Sequence, residues 1–283
     1  MTTQLKKHSH KILTFCLTLF FLFSSCDKLN GDQTVDGLKE ALRVGTNKAT
    51  TMLGKENGYL KDEAVKILLP EEAQTTFKVV NAISNNSAIK AAVSALGINL
   101  TADMQSTLET AFNRAAEQAA PEAAGIFVSA INSMTIADGK NILFSSNNEA
   151  ATDFLRSTTY SGLQTAFNPI INESMKSVKV SMGSSELNTI DAWKSFAQQN
   201  NKLSDAISNN TAIKTALSFL PTEQQNTIKS IQTVDENLGD YVVGKALNGI
   251  FTKIGVEEYK IRTDANARVN DLLRDVFGQL DNN

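Results

Sequence analysis

Ser87 and Lys90 stand three residues apart in Ser87-Ala88-Ile89-Lys90. This is the spacing of a nucleophile and its lysine base in serine acyl-transfer enzymes. On a helix both side chains share a face, and a desolvated lysine there can take the serine proton. A second copy of the segment keeps Lys214 and puts Thr211 in the serine position. The companion Lys-Thr-Gly and Ser-Asp-Asn motifs are absent. A hydroxyl after Asn85-Asn86 and before an apolar run also suits a helix cap, and threonine caps as serine does. Capping is the reading the sequence favours. The Asn85-Asn86 and Asn209-Asn210 pairs read as turn chemistry, since asparagine bonds its own main chain.

Arg114 and Glu117, three apart, and Glu258 and Arg262, four apart, form possible ion pairs on helices rich in alanine and isoleucine. If they face a core they need further partners, and Arg268 is a candidate. Buried carboxylates can also serve as general acid and base. An ion-pair network is the expected role. No metal-binding loop is present, and Asp235 to Asp240 lacks the alternating ligands of a calcium site. Glycine-rich phosphate-binding patterns are absent too, so no cofactor is expected. Trp193, Phe196 and Phe219 are candidates to line a cavity for an apolar ligand.

Cys26 says most about location. Lys6, Lys7 and Lys11 precede an apolar run from Ile12 to Phe23, and Ser24-Ser25 stand directly before the cysteine. That order is the one found in secretory signals. The apolar run is shorter than the ~20 residues a membrane-spanning helix needs. The site is similar to the lipobox of bacterial lipoproteins, in which the cysteine is acylated and becomes the first residue. Residues 1–25 are therefore expected to be removed and residues 26–35 to form a lipidated tether. Cleavage would take the only two histidines, His8 and His10, and the only other cysteine, Cys16. What remains has no Ser-His-Asp triad, no Cys-His pair and no His/Cys zinc site. The formal charge would pass from −3 to −6, because the removed part holds three lysines and no carboxylate. An acidic chain without a basic cluster is a poor nucleic-acid binder.

The chain contains part of itself twice. Residues 81–96 read NAISNNSAIKAAVSAL and residues 205–220 read DAISNNTAIKTALSFL, with 11 of 16 positions identical at a spacing of 124. The same spacing aligns Gly125-Ile126-Phe127 with Gly249-Ile250-Phe251. Spacings of 125 and 118 align Gly37-Leu38 with Gly162-Leu163 and Asp153-Phe154-Leu155-Arg156 with Asp271-Leu272-Leu273-Arg274. The expected architecture is all-α, a single helical domain over 36–280 built from two duplicated halves at about 36–156 and 159–274.

Helical spacing recurs throughout. Leu38, Leu42 and Ala49 make one face. Ala64, Ile67 and Leu68 begin another, stopped before Pro70. Leu108, Ala111, Phe112, Ala115 and Ala119 form a stripe interrupted at Pro121, and Val242 to Ile254 carry a further one. Pro70 and Pro221 open acid-containing stretches, as suits a helix start. Asp264 or Asn266 is the expected cap of a last helix carrying Val269 to Phe277. The best candidate for a strand is Val178 to Met182.

GLKEAL (37–42), ILLP (67–70), NRAAE (113–117) and IFVSAINSMT (126–135) occur in that order. EAATDFL (149–155), NPI (168–170), DYVVGKALNGIF (240–251) and DLLRDVFG (271–278) follow. On these motifs the chain resembles the bacterial family known as domain of unknown function 4197. The resemblance implies a secreted or lipid-anchored helical protein of Gram-negative bacteria and brings no activity or catalytic residue with it. Asp264-Ala265 stands where the family tends to have Asp-Pro. The stretches around 75–105 and 180–237 are longer than usual for the family.

The function expected from the sequence is a cell-envelope lipoprotein, lipid-anchored in periplasm or outer membrane, acting as a non-enzymatic binding or interaction module. A carrier of an apolar ligand such as a lipid is one alternative. A hydrolase using Ser87 and Lys90 or a carboxylate pair is the other. Expected partners are the membrane, through the lipid, and an envelope protein or apolar small molecule, with no nucleic acid.

Overall fold

The computed structural model describes residues 31–182 and 185–278. The expectations for Cys26 and the signal segment lie outside them. Helix α1 (Gly31–Leu53) begins inside the stretch read as tether, and Thr34 and Val35 are already buried. Its apolar face is held by α11 (Gly239–Thr263), α12 (Asp271–Phe277), α5 (Ala123–Ser133) and α6 (Ile136–Leu143). Gly37 lets α12 approach, since a Cβ there would overlap Val276. Helix α11 also packs on α7 (Ala150–Ser177) and α4 (Asp103–Ala119). Val242, Val243, Ala246, Leu247 and Ile250 on α11 are fully buried, which explains why its sequence carries so wide an apolar stripe. Phe127 and Phe251 meet edge to face with centroids 5.8 Å apart, an arrangement that adds about 1 kcal/mol to the burial itself.

Residues 54–70, expected in part as a helix, are turns and extended chain instead. The cause is on α4. Glu109, Asn113 and Glu117, each four apart, form a polar ladder that takes up the main chain of this segment. Asn113 accepts from Ile67 N and donates to Ile67 O, both at 2.8 Å. Glu117 Oε1 accepts from Tyr59 N at 3.2 Å and Leu60 N at 3.3 Å. Tyr59, fully buried, donates its hydroxyl to Ala246 O at 2.7 Å. Asn57 holds the left-handed backbone at φ 68° that turns the chain here.

A second lobe carries the repeat. Helices α2 (Glu71–Ser84) and α3 (Ser87–Ala95) form one hairpin, and α8 (Thr189–Asn209) with α9 (Thr211–Ser218) forms the other. α10 (Thr222–Lys229) closes the lobe against α2 and α8. Pro70 and Pro221 stand immediately before α2 and α10, as their fixed φ favours. The apolar positions of the two copies pack into one small core. Val79 and Leu203, Ile83 and Ile207, Ile89 and Ile213, and Val93 and Leu217 are its equivalent pairs at spacing 124. Thr76 Oγ1 donates to Asn200 Oδ1, its own equivalent, at 2.6 Å.

The likeness of the two halves stops short of the whole. Where the first half has the 54–70 segment, the second has an antiparallel hairpin, β1 (Lys179–Met182) and β2 (Ser185–Asn188), joined to α8. Where the first has the 17-residue α4, the second has α10 and an irregular stretch. All-α describes the molecule, with one two-stranded ribbon added. Duplication of entire halves is not shown by the fold.

Candidate functional site

Ser87 is the first residue of α3, and the cap is Asn86, whose Oδ1 accepts from Ile89 N at 3.0 Å. Asn210 does the same for Ile213 N at 3.1 Å in the second copy. The asparagines thus cap, and the hydroxyls expected to do so follow them. Asparagine wins because its longer side chain, one position earlier, reaches the orphan amides of the first turn. Ser87 and Lys90 are both exposed, and neither side chain makes a hydrogen bond or ion pair within the described residues. Nothing desolvates the lysine as a serine-activating base requires.

The carboxylates have clearer employment. Glu258, 8% exposed, accepts from Ala151 N at 2.9 Å, and from Thr152 N and Thr152 Oγ1 at 2.8 Å. It thereby closes the N-terminus of α7 with a negative charge, where the helix dipole favours one. Arg262 donates from Nε to Glu258 Oε1 at 2.9 Å. Its remaining nitrogens reach Leu143 O at 3.2 Å and Ile142 O at 2.9 Å, closing the C-terminus of α6. Two residues one helical turn apart therefore join the ends of two other helices. Arg268, 2% exposed, donates to Ile261 O at 3.0 Å and Arg262 O at 3.1 Å, closing α11 itself. Arg114 pairs with Glu117 at 2.6 Å and reaches Asn57 at 3.1 Å. Burial, and then the charge of Glu117, push the Tyr59 phenol well above its usual range.

Asp264 and Asn266, expected to cap the last helix, do not. Asp264 caps a short turn over 265–267, and Asn270 caps α12 by accepting from Leu273 N at 2.9 Å. Val269 lies before the helix and is exposed.

The aromatic residues expected around a cavity divide. Phe196 stacks on Phe77 at 5.2 Å, and Trp193 meets Phe112 at 5.9 Å. Both are packed core. Phe219 ends α9 with 82% exposure. Inside the main bundle, beside Glu258 and Arg262, the space lined by Leu38, Leu42 and Ile254 has a volume of ≈ 10 Å³. That is about the size of one water and excludes a lipid tail there.

Open clefts lie at the surface of the described residues. One, ≈ 950 Å³, runs between Pro70 and Tyr241 and carries Glu72, Asp235, Glu236 and Asp240. The Tyr241 hydroxyl donates to Leu68 O at 2.9 Å, and burial together with Glu72 and Glu109 pushes its pKa up to about 12. Among the described residues no three carboxylate, histidine or cysteine side chains are grouped to hold a metal ion.

Two further clefts are equivalents. One, ≈ 180 Å³, is bounded by Ile83, Ser84, Lys90, Val93 and Ser94 and completed by the 98–101 loop. The other, ≈ 430 Å³, is bounded by Ile207, Ser208, Lys214, Leu217 and Ser218 and completed by Gln225 and Lys229 of α10. Each of the first five residues sits 124 positions before its counterpart. Sequence reasoning singled out Lys90 as a base and missed this pairing, although the copied I-S-x-x-x-x-I-K-x-x-[VL]-S spacing was its signal.

The family model described as "Protein of unknown function (DUF4197)" matches residues 28–217 and 210–278. The chain belongs to this family. No curated protein and no solved structure matches it. The two matched runs overlap within α9, the second copy of the repeated helix.

Proposed function

We propose that this protein of the DUF4197 family is a lipid-anchored component of the bacterial cell envelope that binds other molecules and does not catalyse. The observation that carries the non-catalytic part is the employment of Glu258, Glu117 and Arg262. Each is buried and fully engaged with main-chain groups or with a neighbouring ion, so none faces a cleft ready to move a proton. The anchoring part rests on the basic, apolar and small-residue order before Cys26. No helix among the described residues is long and apolar enough to cross a membrane.

The test is metabolic labelling with an alkyne fatty acid in cells making the full chain or its Cys26→Ala variant. Label on the wild type that is lost from the variant, with release of the variant from the membrane fraction, is the expected result. Equal labelling of both chains, or none of either, would overturn the anchor.

A further inference from the structure

We propose that the twin clefts of the second lobe are two binding sites for single-tailed anionic amphiphiles, the class of a fatty-acyl carboxylate. This rests on the reading of the protein as a binding module and names what it binds.

The argument is chemical complementarity repeated twice. In each cleft the helix hairpin presents a buried apolar floor, Ile83 with Val93 or Ile207 with Leu217. Over each floor stands one lysine, Lys90 or Lys214, with no hydrogen bond or ion pair to any described side chain. Each cleft is lined by two hydroxyls, of which Ser94 and Ser208 are free to donate, while Ser84 and Ser218 already donate to Asn81 O and Thr215 O. No carboxylate lines either cleft, and the second adds Lys229, although acidic residues outnumber basic ones in the chain. An unpaired ammonium with a hydroxyl free to donate suits a carboxylate, and the apolar floor suits a methylene chain. The volumes favour one tail over two. The larger cleft is within the range of about 300–1,000 Å³ usual for ligand sites and the smaller is below it. The α9–α10 cleft, with more room and two lysines, is the tighter site.

The test uses membranes from cells making the full chain and a decanoate analogue carrying a terminal diazirine, with peptide mapping after irradiation. Label is expected in residues 79–101, with Leu203 beside them, and in residues 207–229, removed by excess decanoate. Lys90→Met, which keeps the apolar stem, should lower labelling of the first stretch about tenfold and spare the second. Lys214→Met with Lys229→Met should do the reverse. The unaltered stretch in each variant reports that the lobe is folded. Label confined elsewhere, label indifferent to both sets of substitutions, or competition by phosphatidylglycerol vesicles but not by decanoate would overturn the assignment. Equal fatty-acid labelling of the wild type and the Cys26→Ala variant, with the cleft labelling intact, would overturn only the anchor. Anchoring without labelling would remove only the ligand.

Discussion

Glu258 shows how far a single side chain is committed in this protein. Its two oxygens accept from Ala151 N, Thr152 N, Thr152 Oγ1 and Arg262 Nε, all within 2.9 Å. Glu258→Gln keeps the shape, removes the charge facing Arg262 and turns a donor toward groups that themselves donate. Breaking a buried pair by neutralising one member costs about 3–5 kcal/mol. The expected outcome is a lower urea midpoint at unchanged denaturant slope, the signature of lost stability without a change in compactness. A loss below about 1 kcal/mol would mean that the clamp between α6 and α7 is not what holds them. The ion pairs at 114–117 and 258–262 were legible from spacing alone. Their partners were not, because those are main-chain groups of α6, α7 and the 54–70 segment, distant in sequence and invisible in side-chain pattern.

At the scale of elements, charge also ties α1 to α11. Lys48 Nζ lies 2.5 Å from Glu257 Oε2, and Lys260 reaches the other oxygen at 2.9 Å. Burial alone would raise the Glu257 pKa, but the two lysines, by hydrogen bond and charge, outweigh it and lower it. A carboxylate with a depressed folded pKa adds stability that is present above its unfolded value, about 4.3, and is lost as pH falls through the folded one. Glu257→Gln should therefore cost up to about 1 kcal/mol near neutral pH, both lysines being largely exposed. The gap from the wild type should close on acidification, read from urea unfolding across pH. A gap that widened toward acid would contradict the assignment. The helices themselves were readable from apolar spacing, as in Leu108, Ala111, Phe112, Ala115 and Ala119, all of which are buried. The 54–70 segment was not. Its apolar residues are spaced as a helix would space them, and it is the Glu109-Asn113-Glu117 ladder of another helix that draws its amides away. Nor was the cap of α12 legible, since Asp264, Asn266 and Asn270 are all competent and only packing selects the last.

Across the whole molecule, two apolar cores unequal in size share helix α8. The larger surrounds α11, and the smaller is made by the two copies of the repeated segment. Within the larger core Phe77 of α2 stacks on Phe196 of α8, and Trp193 continues the contact to Phe112. Regions with few buried contacts open at lower free energy than the global transition and do so as units. Helices of 9 and 8 residues, such as α3 and α9, are too short to persist alone and depend on one another's apolar faces. Their amides should exchange with solvent together, and before those of α7 and α11. Ile213→Ala, removing a fully buried side chain of α9, should cost the lobe about 2–5 kcal/mol. Its effect should reach α3, whose Ile89 and Val93 lie in the same small core, and leave α11 protected. Hydrogen exchange read by mass spectrometry separates the possibilities. Faster exchange confined to α9 would show that the two copies are neighbours without being a unit. Equal acceleration of α11 would show one cooperative body. Joint loosening of α3 and α9 would establish that the repeat folds as a pair, so that one cleft depends on the helix forming the other.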